Sequence, residues 1–338
     1  MNKIKISDKW IGDGEPVYII AEAGDAHFGN VGRAMDMILV AKNAGCDAIK
    51  FQHHIPDEEM LPALMPMSDN LTMPLYEFLT KYALTIEAHD LLKACCENIG
   101  IQYLCTPFSL KAAQELDSIG VDAFKIGSGE MTDIPFLIEV AKMGKPMIIS
   151  TGMSNHFDWL LPYKHIADLT DFIFLDCISG YPPNYNEINL SSFRAPTKAI
   201  GLSDHTPTNY TAFAAVALGA KVIEKHFVLD RKIIGPDDAV SLEPFELAEL
   251  VKGIRIIEQA LGHEKKVHES EKPIMAWARR SVVSIADIAA GEKFTQDNIW
   301  TKRPGGGIEP VYIYDIFGKV AKKAIVKGNQ IEWEMVSR

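Results

Sequence analysis

Two histidines, His205 and His226, close successive short apolar runs, AIGLSDH and VIEKHFV, and two lysines, Lys50 and Lys125, interrupt two others, AIKF and FKIGSGE. A lone histidine is more often a satisfied polar residue of a core. Two at equivalent ends of neighbouring strands, ~4.8 Å apart, could instead reach one ion. Two imidazoles without a thiolate, leaving positions for water and substrate, suit a catalytic divalent cation rather than a closed structural zinc. His27, His53 and His54 show no such pairing and stay unassigned. An unpaired buried ammonium is costly. Lys50 and Lys125 therefore either pair with a nearby glutamate or point into a cavity, where they would cradle a phosphate and a carboxylate with the hydroxyls of Thr106, Ser128, Ser150 and Ser203.

Such residues need elements that bring them together. Eight apolar runs recur over the first 230 residues: 17–24, 48–54, 102–109, 123–130, 146–153, 172–179, 199–205 and 222–228. Their continuous apolarity predicts strands buried on both faces, as in parallel sheets. Segments of helical spacing lie between them, at Val31–Ala44, Ile86–Asn98, Phe136–Lys142 and Tyr210–Leu218. This alternation predicts an α/β fold, a (β/α)8 TIM barrel. An open doubly wound sheet is the other arrangement, but no GxGxxG follows the first strand. Active sites of such barrels form at the C-terminal ends of the strands. Read in order, those ends are Glu22, Lys50, Thr106, Lys125 with Ser128 and Glu130, Ser150, Tyr181, His205 and His226. Hydroxyls and lysines suit a phosphate, histidines a metal, and carboxylates a proton or a developing cation.

Residues 244–261 read as a last amphipathic helix, which ends a barrel domain at 1–261. The charged stretch 262–275 reads as a linker, and 276–338 as a small, mostly β domain. A faint repeat supports the latter: Gly291–Ile299 resembles Gly328–Val336. Asp237 and Asp238 lie in a Gly-Pro turn and are either solvated or part of the mouth. Arg303, on the glycine-rich loop Lys302–Ile308, would by itself be a solvated surface residue.

Composition narrows the partners. The 338 residues carry a net charge of −11, which argues against nonspecific binding to nucleic acid or an anionic membrane. No run approaches the ~18 apolar residues that span a bilayer. The first residues, MNKIKISDKWIGDGEP, lack the apolar region of a secretory signal. Five cysteines without a CxxC pair read as reduced thiols, so a cytoplasmic location is expected.

These blocks together resemble the N-acetylneuraminate (sialic acid) synthase family. The resemblance spans nearly the whole chain: AEAG (21–24), IKFQ (49–52), CTPFS (105–109), FKIGSGE (124–130), STGM (150–153), GLSDHT (201–206), EKHF (224–227), GPD (235–237) and KRPG (302–305). The last 60 residues resemble the SAF (antifreeze-like) domain of that family. The resemblance implies condensation of phosphoenolpyruvate with the open-chain aldehyde of an N-acylated hexosamine such as N-acetylmannosamine, giving a nine-carbon 2-keto acid and phosphate. It implies a divalent cation on His205 and His226, manganese with magnesium or cobalt as alternatives, acting as a Lewis acid. Glu130, Lys125 and Glu22 become catalytic candidates, with Glu130 stabilising a cation at C2 or positioning water. Lys50, Thr106, Lys125, Ser128, Ser150 and Ser203 match phosphoenolpyruvate-binding positions. Glu22, Gln52, Asn70, Phe108, Tyr181 and Asp237 match sugar-holding positions. Arg303 matches an arginine inserted into the partner subunit's barrel, which implies a domain-swapped homodimer, and Trp277 matches an aromatic near the acyl group.

Two departures stand out. Ala26-His-Phe-Gly29, preceded by Asp25, replaces the family's Asn-His-x-Gly, and Asp176-Cys-Ile-Ser179 replaces His-Cys followed by Thr or Ser. Both are expected near the mouth, where they bear on the sugar. That leaves open a 2,4-diacetamido-trideoxyhexose leading to legionaminic or pseudaminic acid. A catalytically silent sugar-binding homologue would lack Lys125, Glu130, His205 or His226, and all four are present. A different aldolase or sugar-phosphate enzyme on the same barrel is the remaining reading.

Overall fold

The computed structural model describes residues 3–62, 73–194, 200–233, 235–262 and 264–337. Asn70, expected at the sugar site, lies outside them. The chain separates into two compact units, Met1–Gly262 and His263–Arg338.

The first unit opens with a hairpin, β1 (Ile4–Ile6) and β2 (Lys9–Ile11). Then come β3 (Tyr18–Glu22), α1 (Val31–Ala44), β4 (Ala48–His53), α2 (Pro56–Glu59), α3 (Leu75–Tyr82), α4 (Ile86–Ile99), β5 (Gln102–Pro107) and α5 (Leu110–Ser118). They are followed by β6 (Phe124–Ile126), α6 (Ile134–Ala141), β7 (Met147–Ser150), α7 (Leu160–Ile166), β8 (Phe172–Cys177), β9 (Gly201–Asp204), α8 (Tyr210–Ala217), β10 (Val222–His226) and α9 (Pro244–Leu261). Strands β3 to β10 form one parallel sheet in the order β5-β4-β3-β10-β9-β8-β7-β6. β5 also packs beside β6, closing the sheet into a (β/α)8 barrel.

Local chemistry sets the helix ends. Asn30 caps α1 by accepting from the Arg33 amide, and Gly45 ends it in the left-handed conformation (φ +89°) that glycine adopts without penalty. Thr85 and Gly100 do the same for α4.

Alternation along the strands sorts side chains between two environments. On β3, Ile19 and Ala21 face the helices, whereas Tyr18 and Ile20 face the barrel axis. On β4, Ile49 and Phe51 face outward and Ala48 inward. At the bottom of the barrel these inward residues meet Ile4, Ile6 and Ile11, so the hairpin plugs that end. Each such isoleucine buries enough apolar surface to contribute roughly 1.5–3 kcal/mol. Moving up the strands, the inward positions turn from apolar to polar or charged, as from Ile20 to Glu22, Ala48 to Lys50, Leu104 to Thr106 and Ile148 to Ser150, and that switch creates the site. No helix among the described residues is long and apolar enough to cross a membrane.

The second unit holds α10 (Lys272–Ala278), a two-stranded antiparallel ladder of β11 (Ser281–Ser284) and β12 (Ile299–Lys302), and α11 (Ile313–Ile316). Isolated bridges such as Ile288 to Ile325 and Ala321 to Val336 complete a small β module. The sequence repeat has a physical basis here. Gly291 and Gly328 both take positive φ, and the residues three and eight positions on, Phe294 with Ile299 and Ile331 with Val336, are buried in one core. Helix α10 begins inside the stretch expected as a linker.

Candidate active site

The upper end of the barrel holds a cavity of about 260 Å³. Register builds it. Glu22 on β3 pairs with Lys50 on β4 and with His226 on β10, so three inward side chains stand at one level. Lys50 Nζ lies 2.8 Å from Glu22 Oε2 and donates to Thr106 Oγ1 at 3.0 Å. Both readings of Lys50 therefore hold, since it is paired and it lines the cavity. Lys125 Nζ donates to Ser150 Oγ at 2.7 Å. The Ser128 hydroxyl accepts from the Gly152 amide at 3.0 Å, and that of Ser203 donates to Glu224 at 3.0 Å.

Glu224 was not anticipated as a site residue. Its Oε1 lies 3.6 Å from Lys125 Nζ and 3.9 Å from Lys50 Nζ. It sits two residues before His226, and period-2 alternation puts both on the inner face. The same rule sends Lys225 outward, where it forms a buried pair with Asp204 at 3.0 Å. Burial alone would raise Glu224, but Lys125 and Lys50 outweigh it and hold its carboxyl below the ordinary range. Burial lowers Lys50, and Glu22 with Glu224 more than offset that, leaving it raised. For Lys125 burial prevails despite Glu224, and its ammonium is weakened.

His205 and His226 face each other with ring centroids 5.3 Å apart. His205 Nδ1 donates to the Ile178 carbonyl at 2.9 Å, which presents the Nε2 lone pair to the mouth. There the Tyr181 hydroxyl lies 3.2 Å away, and its ring stacks on the imidazole with centroids 4.3 Å apart. Asp237 Oδ2 is 3.6 Å from His226 Nδ1. Burial, with His205 adding to it, keeps His226 well below the ordinary imidazole range. At His205 burial acts the same way, but Cys177 beside it and the Ile178 carbonyl turn the balance upward. Asp237 is pushed up to about 7 by burial and by Asp25 and Glu22. Among the described residues no group of three or more His, Cys, Asp or Glu side chains is arranged to enclose a metal. The donors nevertheless fit an open catalytic site: two imidazoles, one oriented by a backbone carbonyl, with other positions free.

Glu130 follows β6. Its carboxyl is raised, chiefly by burial, and Oε2 is buried without a partner. Gly127 makes room for it, since a Cβ there would collide with that oxygen. Gln52 donates to Glu22 Oε1 at 2.7 Å, and Phe108 stacks on His54 with centroids 4.2 Å apart. Glu22, Lys50, Gln52, Thr106, Phe108, Lys125, Ser128, Glu130, Ser150, Tyr181, Ser203, His205 and His226 thus line one cavity, and Asp237 borders the next.

The two departures resolve differently. Asp176 alternates away from the mouth, because Cys177 is the inward residue of that pair, and it accepts from Ser192 at 2.6 Å. Ala26 is buried in the core between strands and helices. Neither lines these two cavities, whereas Asp25, Cys177 and Ser179 of the same blocks do. Trp277 and Arg303 belong to the second unit, where the guanidinium lies over the indole at 5.4 Å.

Residues 37–266 match the NeuB family model and 279–337 the SAF domain model. The chain is 38% identical to an N,N'-diacetyllegionaminic acid synthase of Campylobacter jejuni, over 90% of this chain and 96% of that protein. It is 32% identical to the human N-acetylneuraminate-9-phosphate synthase, over 97% and 95% respectively. The crystal structure of an N-acetylneuraminic acid synthetase from Leptospira borgpetersenii superposes with a TM-score of 0.72 at 32% identity, covering 81% of this chain and 95% of that one. The chain belongs to the NeuB family and carries a SAF domain after its barrel.

Proposed function

We propose that the protein condenses phosphoenolpyruvate with the open-chain aldehyde of an N-acylated hexosamine to give a nine-carbon 2-keto acid and phosphate. The observation that carries this reading is the juxtaposition, in one cavity, of the Lys50–Glu224–Lys125 cluster with the His205–His226 pair. One end suits a small polyanion and the other an aldehyde oxygen.

Lys50 and Lys125, with the hydroxyls of Thr106, Ser128, Ser150 and Ser203, hold the phosphate and carboxylate of phosphoenolpyruvate. Glu22, Gln52, Phe108, Tyr181 and Asp237 orient the sugar. A divalent cation, manganese with magnesium or cobalt as alternatives, would be held by His205 and His226 and would supply Lewis-acid polarisation of the aldehyde. C3 of phosphoenolpyruvate attacks the aldehyde carbon, and the new alcohol takes a proton. The cation left at C2 adds water, and the C2–O bond to phosphate breaks as the ketone forms. Glu130, close by with an unpartnered oxygen, stabilises that cation or positions the water.

The same proposal includes a cytoplasmic, domain-swapped homodimer in which Arg303 serves the barrel of the other subunit. Its support is the loop Lys302–Ile308, whose three consecutive glycines allow close backbone approach to a ligand, and the Arg303–Trp277 stack. Release of phosphate from phosphoenolpyruvate, screened with and without amino sugars, tests the reaction. Release that never depends on a sugar contradicts it.

A further inference from the structure

His54, one residue beyond β4, borders a second cavity of about 380 Å³, which shares Gln52, Phe108, Glu130, Tyr181 and His226 with the first. Its side chain is only 6% exposed, and both ring nitrogens are engaged. Nδ1 lies 3.0 and 3.1 Å from the two carboxyl oxygens of Glu59 on α2, and Nε2 lies 3.0 Å from Gln52 Oε1. Gln52 in turn donates from Nε2 to Glu22 Oε1 at 2.7 Å, while Lys50 holds the other Glu22 oxygen at 2.8 Å. The His54 ring also lies flat on Phe108, with centroids 4.2 Å apart.

The run Glu22–Gln52–His54–Glu59 has a carboxylate, which only accepts, at each end. Gln52 therefore turns its amide nitrogen to Glu22, and its oxygen meets an N–H from His54. Glu59 takes an N–H from the other ring nitrogen. Neutral imidazole carries one N–H, so the imidazolium alone satisfies both neighbours. The surroundings agree. Burial alone would lower His54, but Asp25, with Oδ2 at 3.7 Å, together with Glu59 and Glu130 outweighs it and holds the ring above the ordinary imidazole range. The nearby imidazoles of His27, His53 and His89 are all lowered, chiefly by burial.

We propose that His54 is a positioning residue for the sugar: as an imidazolium it locks the Gln52 amide, so that Gln52 offers its second N–H, a donor, to an oxygen of the substrate. Loss of the ring's Nε2 proton would set its lone pair against Gln52 Oε1. Flipping the amide moves the same conflict to Glu22, so neither orientation holds Gln52 in place. The charged ring also steadies Phe108 beneath it. This inference rests on the proposed function, since Gln52 and Phe108 are assigned there to the sugar.

Two measurements test it. In protein labelled with 15N at its histidines, with His54 assigned against His54→Gln, both ring nitrogens should remain protonated about one pH unit above the ordinary imidazole value. A single N–H there, as would follow if Glu22 carried a proton and donated to Gln52, overturns the proposal. The second measurement uses N-acetylmannosamine or a 2,4-diacetamido-trideoxyhexose, whichever gives the faster phosphate release. His54→Gln should raise the KM of the sugar about tenfold and that of phosphoenolpyruvate less than about twofold. The wild-type sugar KM should climb as pH rises through the His54 pKa, by up to about tenfold per pH unit, and the variant should lack that rise. Asp237, pushed up to about 7 at the same mouth, titrates in both proteins, so the difference between the profiles belongs to His54. Glu59→Gln keeps an acceptor without its charge and should move the rise to lower pH, which decides the matter even if His54→Gln does not fold. Equal rises in both KM values, or a profile that neither variant alters, would mean a purely structural His54. Failure of both sugars to support phosphate release would sink the proposed reaction and the sugar role with it, while the labelled nitrogens would still report the charge.

Discussion

Glu224 Oε1 lies 3.6 Å from Lys125 Nζ at the floor of the barrel mouth. The same oxygen is 3.9 Å from Lys50 and accepts from Ser203, so one carboxylate ties together the groups expected to hold the anion. Burial already weakens the Lys125 ammonium, and Glu224 is the main influence opposing it. Glu224→Gln should therefore lower the lysine's pKa further. Lysine is charged below its pKa, so binding of phosphoenolpyruvate should be lost at lower pH in the variant. The alkaline limb of kcat/KM for phosphoenolpyruvate is expected to move down by about 1–3 pH units. An unmoved limb would show that Glu224 does not sustain the charge.

Lys125→Ala removes a charge-assisted contact to a dianion, and no other described group stands in the same place. Such contacts are worth roughly 1.5–3 kcal/mol, or about 10–150-fold in affinity. The KM for phosphoenolpyruvate should rise by that factor while the KM for the sugar changes little. Equal rises for both substrates would point to a collapsed mouth rather than a lost contact.

His89 sits outside the site, hydrogen-bonded to the Tyr103 hydroxyl at 2.8 Å and edge-on to His53 at 4.7 Å. Burial, with His53 and His27 adding to it, holds its pKa well below the ordinary imidazole value. The unfolded chain binds a proton near pH 6.5 that the folded chain refuses, so this histidine's contribution is complete above about 6.5 and is lost as pH falls. Each such group contributes a slope of at most about 1.4 kcal/mol per pH unit. Urea unfolding between pH 7.5 and 5.5 should show a shallower loss of stability in His89→Gln than in the wild type. Parallel slopes would mean that His89 is not the group titrating.

If Arg303 serves the other subunit's barrel, Arg303→Ala and Glu130→Gln chains, each nearly inactive alone, should recover activity when refolded together. One of the two mixed sites then combines a native barrel with a native arginine. Absence of recovery in a verified heterodimer would place the arginine in its own barrel or in none.

Much of this was legible in the sequence, for identifiable reasons. The eight strand runs and the helices at 31–44 and 244–261 appear where periodicity and capping residues put them, because parallel strands and amphipathic helices leave continuous or 3.6-spaced apolar patterns. Hairpin β1–β2 went unread, since three apolar residues among lysines give no signal until a barrel floor exists to bury them. Glu224 was legible through His226, since period-2 alternation puts residues two apart on one face, but reading only the strand ends as the mouth passed over it. Of the block 176–179, Cys177 and Ser179 reach the cavity and Asp176 does not, because adjacent strand residues point to opposite faces.

The central claim is that one mouth joins phosphoenolpyruvate to an amino-sugar aldehyde. Its most direct test is to incubate the purified protein with manganese, phosphoenolpyruvate and either N-acetylmannosamine or a 2,4-diacetamido-trideoxyhexose, and to measure phosphate and a nine-carbon 2-keto acid in the same samples by mass spectrometry. The account predicts both products in a 1:1 ratio with at least one sugar, and none with Glu130→Gln beyond a small residual rate. Phosphate formed without the keto acid, or no turnover with either sugar in a folded, metal-supplied protein, would contradict it.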